Sequence, residues 1–255
     1  MTAKAWTLAF VLLLSGGAAE GQGRGGGPPQ PPATPRAAAP VDLTGYWVSL
    51  VTEDWRFRMF TPPKGDFTSV PLNPEGRKIA QAWDPAKDEA SGDQCKAYGV
   101  GGLMRIPGRL HITWQDDTTL KVEADAGTQT RVIHLGAPTS PGGSWQGVST
   151  ATWDRSPNVM DPPTGGRGGS SGGSLKVVTT RIKAGYLRKN GVPYSDGAVI
   201  TEYWDRFDLP NGQPLLVVST EVVDPTYLLQ PFWTSTHFQK QNDASGWNPT
   251  PCSAK

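Results

Sequence analysis

The sequence predicts an all-β fold, an antiparallel β-barrel of about eight to ten strands with one short helix. Short runs rich in Val, Ile, Thr and aromatic residues recur along the chain, with turn residues between them. Helical patterns do not alternate with these runs, which excludes a doubly wound parallel sheet. Closure into a barrel would remove the exposed edges that so many strands would otherwise leave.

Ten strands are expected, at 45–52, 55–60, 109–115, 118–124, 129–136, 145–153, 175–182, 198–207, 215–223 and 232–239. The helix is expected at 74–83, because Asn73 is a favourable N-cap and Pro74 a favourable first residue. Pro85 follows and would end it.

The charge balance excludes some classes of partner. The 255 residues include 24 Lys and Arg against 23 Asp and Glu, a formal charge of +1, without a basic block. We therefore expect no nucleic-acid partner. No motif in the sequence calls for a cofactor, and none is expected.

The N-terminus has the features of an export signal. Lys4 precedes an apolar run at 5–14, and small residues follow up to Ala19. This pattern predicts a signal peptide at 1–19, and the run is shorter than the roughly 20 apolar residues of a transmembrane helix. We expect a protein without a transmembrane segment, exported to the periplasm or beyond the cell.

Two stretches rich in Gly and Pro interrupt the β pattern. The stretch at 20–40 is expected to be a disordered linker and the stretch at 155–174 a flexible loop. The β-barrel domain is accordingly expected at 41–255.

The two cysteines are interpreted through the predicted export. In an oxidising compartment, Cys95 and Cys252 favour a disulfide over a metal or catalytic pair, with two free thiols as the alternative. Such a bond would tie the C-terminal tail to the body of the protein.

A resemblance supports the barrel. The sequence Asp42-Leu43-Thr44-Gly45-Tyr46-Trp47 resembles the Gly-x-Trp signature of lipocalins and calycins. A longer series is similar to uncharacterised exported bacterial proteins that are common in acidobacterial genomes. It comprises Pro107-Gly108-Arg109, Thr130-Arg131-Val132-Ile133, Trp145-x-Gly147, Gly173-Ser174-Leu175-Lys176-Val177-Val178, Thr201-Glu202-x-x-x-Arg206-Phe207 and Val223-Asp224-Pro225-x-Tyr227-x-x-x-Pro231. The resemblance implies a lipocalin-like barrel and no particular activity.

Three histidines in predicted strands raise the hypothesis of a metal site. His111 alternates with apolar residues, which places it on the polar face of its strand, and His134 has the same pattern. The register around His237 is ambiguous. The pattern therefore argues against a convergent site, and no metal is expected.

A repeated combination of Glu and Trp gives the main candidate site. Glu53 and Trp55 are two residues apart. In a later run, Glu202, Trp204 and Arg206 follow one another at the same spacing. Residues two apart share one face of a strand. A carboxylate among aromatic rings is costly unless it is paired or functional. It could belong to a Glu202–Arg206 or cross-strand Glu–Arg pair, or supply the polar groups of an internal pocket.

Tryptophans complete the list of candidate ligand contacts. Trp55, Trp204 and Trp233 are predicted to touch a ligand, because each lies beside polar or charged neighbours. Core filling is expected of Trp47, Trp114 and Trp153.

These observations lead to one function and two alternatives. The favoured function is binding of a small, partly apolar or aromatic ligand inside the barrel. The first alternative is an exported enzyme with Glu53, Glu202 or Asp205 as acid or base and Arg206 as anion stabiliser. The second is a carbohydrate-binding or envelope-associated module.

Overall fold

The predicted barrel is present. The computed structural model describes residues 33–154 and 173–255. The predicted signal peptide, residues 20–32 of the predicted linker and residues 155–172 of the predicted loop lie outside the described residues. The end of the predicted linker forms a turn, in which the Arg36 N–H donates to the Asp117 carbonyl at 2.9 Å.

Nine strands form the closed barrel, and two more form a separate hairpin. The eleven strands are β1 Gly45–Leu50, β2 Arg109–Trp114, β3 Thr119–Ala124, β4 Gln129–His134, β5 Val148–Asp154, β6 Ser174–Thr180, β7 Gly185–Arg188, β8 Val192–Tyr194, β9 Val199–Asp208, β10 Pro214–Val223 and β11 Phe232–Gln241. The order around the barrel is β1-β11-β10-β9-β6-β5-β4-β3-β2, and β7 pairs only with β8.

One pair of neighbours departs from the expected antiparallel pattern. β4 and β5 run in parallel, with Ile133 opposite Ser149 and His134 opposite Thr150. Residues 135–147 make no tight hairpin, and they return the chain to the end of the barrel at which β4 begins. All other neighbours in the barrel are antiparallel.

Residues 33–154 and 173–255 contain three short α-helices, where one was expected. The expected one is α2, Pro74–Ala82, and its Asn73 side chain accepts from the Gly76 N–H at 2.8 Å. Pro85 begins a further helix, α3, Pro85–Ala90, instead of merely ending α2. Two 3₁₀ helices follow, Lys96–Tyr98 and Leu103–Arg105.

The strand predicted at 55–60 is wrong, because helix α1, Trp55–Arg58, occupies this position. The sequence alternates as a strand would, but Asp54 has a φ of 49° and redirects the chain. The Met59 N–H then donates to the Trp55 carbonyl at 2.9 Å. Asp tolerates this left-handed conformation better than most residues.

The helices and the β7–β8 hairpin gather at one end of the barrel, where β1 ends and β2 begins. We call residues 51–108 and 181–198 the cap. Leu72, Val100 and Tyr194 of the cap belong to the same apolar cluster as Ile200 and Phe232 of the barrel. The cap is therefore held to the barrel by a core of its own.

The predicted disulfide between Cys95 and Cys252 is present and joins the cap to the C-terminal tail. The tail also lies along the β3–β4 turn, where the Thr250 N–H donates to the Asp125 carbonyl at 2.9 Å. Among the described residues, no helix combines the length and apolar character that a membrane crossing requires.

Candidate functional site

The barrel interior contains a buried ion pair. Arg131 of β4 and Glu202 of β9 point inward, with Arg131 Nη2 2.5 Å from Glu202 Oε2. Their side chains are 1% and 0% exposed. Arg131 also donates to the hydroxyls of Ser149 and Thr179, at 3.0 and 2.8 Å. This arrangement is a Glu–Arg pair between strands that are not neighbours.

Large side chains fill the space around this pair. Trp47, Trp204 and Phe238 are all at most 1% exposed and belong to one apolar cluster with the inward-facing residues of the other strands. Two pockets lined by cap residues, one of them also by Ala254, lie outside this interior. The interior is a packed core with a polar pair inside it.

The sequence-predicted site residues lie in four separate places. Glu202 and Trp204 are together inside the barrel. Arg206 lies on the same strand near the end opposite the cap, where it donates to the Asp42 carbonyl at 2.9 Å. Trp233 is exposed on the outer wall, its ring parallel to that of Tyr203 with centroids 6.4 Å apart.

The other two predicted residues, Glu53 and Trp55, are in the cap and do not share a strand face, because α1 replaces the expected strand. Glu53 forms an ion pair with Arg58, and its Oε2 lies 3.1 Å from His237 Nδ1. Trp55 points to solvent. The proposed acids and bases are likewise spread over the cap and the barrel, so no described contact unites them as an enzyme centre.

A pocket of about 270 Å³ lies in the cap, between α1 and the β7–β8 hairpin. Its wall combines apolar residues with four basic side chains, and no carboxylate of the described residues lines it. The lining residues are Phe57, Arg58, Met59, Phe60, Thr61, Ala97, Gly102, Arg105, Ile106, Pro107, Leu187, Arg188 and Lys189.

Arg58 is the first of three buried arginines at this pocket. Its Nε donates to the Arg105 carbonyl at 2.9 Å, and one Nη donates to the Ser49 hydroxyl at 2.9 Å. Its other Nη pairs with Glu53. Burial, together with the nearby Arg105 charge, lowers the pKa of Arg58.

Arg105 is 6% exposed and has a buried donor left over. Its Nη2 donates to Asp54 at 2.9 Å. Its Nη1 is buried and has no hydrogen-bond partner among the described residues. An unsatisfied buried donor of a charged group costs free energy of the order of 1–3 kcal/mol or more.

Arg188 is the most perturbed of the three. It is 3% exposed, and its described hydrogen bonds go to neutral oxygens, the Thr68 carbonyl at 2.8 Å and the Ser69 hydroxyl at 3.1 Å. Burial, reinforced by the Arg105 charge, lowers the pKa of Arg188 to about 10. Its guanidinium also lies 4.1 Å from the centre of the Phe57 ring.

Two residues that hold these arginines have unusual backbone conformations. Asp54, which accepts from Arg105, has a φ of 49°, and Ser69, which accepts from Arg188, has a φ of 65°. A non-glycine residue in this region costs of the order of 1 kcal/mol or more, and Thr128 and Arg181, which do not line the pocket, share this conformation.

The charges around the pocket do not cancel. Glu53 and Asp54 compensate Arg58 and Arg105, while Arg188 and the half-buried Lys189 have no carboxylate bonded to them in the described contacts. Burial also lowers the pKa of Lys189. The pocket therefore presents positive charge beside the apolar surface of Phe57, Ile106 and the other lining residues.

The sequence analysis missed this pocket. Its arginines are far apart in the chain, and two of the three are flanked by large apolar residues, in Phe57-Arg58-Met59 and Met104-Arg105-Ile106, whereas Lys189 follows Arg188. This flanking is the signal that could have singled those two out, because an exposed arginine has no need of apolar neighbours on both sides.

The histidines do not converge. His111 stacks on Tyr46 with centroids 4.1 Å apart, His237 lies beside Glu53, and His134 is buried on another strand. Over residues 33–154 and 173–255, no group of three or more His, Cys, Asp or Glu side chains is placed to hold a metal ion.

Comparison with known proteins adds no assignment: the chain matches no protein-family model, no curated protein and no solved structure.

Proposed function

We propose that this chain is an exported protein that binds a small anion with an apolar body, in the arginine pocket of the cap. The proposal keeps the small, partly apolar ligand suggested by the sequence and moves its site from the barrel interior to the cap. The observation that carries it is the free Nη1 of Arg105 in the wall of an open pocket, because a bound anion would satisfy this buried donor, whereas the free Nη1 of Arg131 lies in the packed barrel core.

Charge and shape narrow the ligand class. With Arg58 and Arg105 already paired, the Arg188 guanidinium and the Lys189 ammonium remain without a bonded carboxylate in the described contacts, which favours an anionic ligand. A carboxylate matches the planar fork of a guanidinium. The volume of about 270 Å³ lies near the lower limit for ligand pockets and suits one or two rings or a short alkyl chain.

The test compares a charged ligand with a neutral one of the same shape. Isothermal titration calorimetry should detect naphthoate binding to the wild type and much weaker binding of naphthamide. Arg105→Met should weaken naphthoate binding about tenfold to a hundredfold, since it removes a charge-assisted hydrogen bond.

Arg56→Met is the matched control. Arg56 is in α1, next to the pocket residue Phe57, but does not line the pocket, and its side chain is 61% exposed and paired with Asp66. Its loss should leave affinity nearly unchanged. Equal effects of the two substitutions, or equal affinity for naphthoate and naphthamide, would reject the pocket as an anion site.

A further inference from the structure

The outer side of α1 exposes large apolar side chains next to the pocket. Trp55, Met59 and Phe60 are 62%, 54% and 68% exposed. Trp55 and Met59 are four residues apart and therefore lie on one side of the helical turn. A grouped apolar patch of this kind points to a contact surface more strongly than single exposed residues do.

The inner side of the same turn has a different role. Arg58 is buried in the pocket wall, and the Phe57 ring lies against the guanidinium of Arg188. The contacts of Phe57 and Arg58 therefore fix the orientation of the turn. The outward position of Trp55 follows from this orientation.

Basic residues border the patch. Arg56 is largely exposed even though it pairs with Asp66, Lys64 is exposed, and Lys189 lies at the pocket. Trp and Phe beside Lys and Arg suit the boundary between lipid headgroups and acyl chains, where the rings enter the apolar layer and the cations meet anionic headgroups.

We infer that Trp55, Met59 and Phe60 form a contact for a lipid bilayer surface that carries anionic headgroups. Met59 and Phe60 also line the pocket, so the mouth of the pocket would face the bilayer. Loading of an amphiphilic anion from the membrane rests on the proposed function, whereas the surface contact does not.

The experiment is cosedimentation with vesicles of phosphatidylcholine, with and without phosphatidylglycerol. The wild type should bind the mixed vesicles more tightly, less so at high salt, and with a blue shift of tryptophan fluorescence. Trp55→Ser should weaken this binding about tenfold, since one large apolar side chain no longer leaves water.

Phe207→Ser is the matched control, because Phe207 is 52% exposed and lies near the end of β9, opposite the cap. It should bind vesicles as the wild type does, and equal thermal midpoints would exclude misfolding of either variant. Failure of the wild type to bind mixed vesicles, or equal loss in both variants, would overturn the inference.

The two proposals fail separately. Naphthoate binding in the absence of lipid, together with no vesicle binding, would remove the membrane contact and leave the pocket. Vesicle binding without naphthoate binding would remove the pocket as an anion site and leave the membrane contact.

Discussion

Two regions of this protein bury arginine, and they do so differently. In the barrel, Arg131 is enclosed with Glu202, whose side chain is 0% exposed, and core residues fill the surrounding space. In the cap, Arg105 borders an open volume and its partner Asp54 is 39% exposed. Each arginine has one buried donor without a hydrogen-bond partner, Arg131 Nη1 and Arg105 Nη1, so the open volume and the exposed carboxylate make the difference. The first arrangement has the features of a structural pair and the second those of a binding site, so burial alone does not distinguish the two roles.

The largest expected effect is on the barrel pair. Arg131→Met should lower the free energy of unfolding by about 3–5 kcal/mol, because Glu202 is left buried without its partner. Urea unfolding measures this difference. Adding Glu202→Gln should restore part of the loss, whereas Arg105→Met should cost no more than about 1 kcal/mol, since the exposed Asp54 can be hydrated. Equal costs for the two arginines would remove the contrast between the regions.

The two regions also differ in how they are closed. The barrel closes through backbone pairing of β1 with β2 and β11, whereas a disulfide ties the cap to the tail. Cys252→Ser should destabilise the protein by about 2–4 kcal/mol. Hydrogen exchange should rise most at residues 95–107 and least in the central strands. A uniform rise along the chain would contradict this division.

The smallest expected effect is a pH dependence confined to the cap. Naphthoate affinity should be flat near neutral pH and fall in the basic range, where Lys189, whose pKa burial lowers, and Arg188, whose pKa is about 10, lose their charges. In the free protein, the folding stability depends on pH in the opposite sense. The depressed pKa of Arg188 means that folding disfavours its charged form, so this destabilisation is relieved as the pH rises beyond about 10. Calorimetry over this range measures the affinity, and Arg188→Met combined with Lys189→Met should abolish the decline. A decline that persists in that variant would assign it to another group.

The strands were predictable because their signal is local. Alternation along the chain located the nine barrel strands to within a few residues, and Asn73 with Pro74 located α2. The hairpin of β7 and β8 carried a signal that was overlooked, the turn sequence Asn190-Gly191. Gly191 has a φ of 80° there, as such turns require.

The cap was not predictable in the same way, because its geometry is set by distant contacts. The alternating residues 55–60 satisfy a strand pattern, and only the left-handed Asp54 and its bond to Arg105 make them a helical turn. The pocket likewise needs Arg58, Arg105 and Arg188 to meet, and nothing in their spacing indicates this. The candidate site is recognised instead from the burial of these arginines in the pocket wall and from the unpaired Nη1 of Arg105.

The odd number of strands in the closed barrel requires a parallel pair, which here is β4 and β5. Around a closed ring, each antiparallel neighbour reverses the direction, so a ring of nine strands cannot alternate throughout and must contain an odd number of parallel pairs. This chain places its single mismatch at β4 and β5, where residues 135–147 make the return. A variant that lost one strand could become a fully alternating ring of eight, and this crossing would then be the segment to replace with a hairpin.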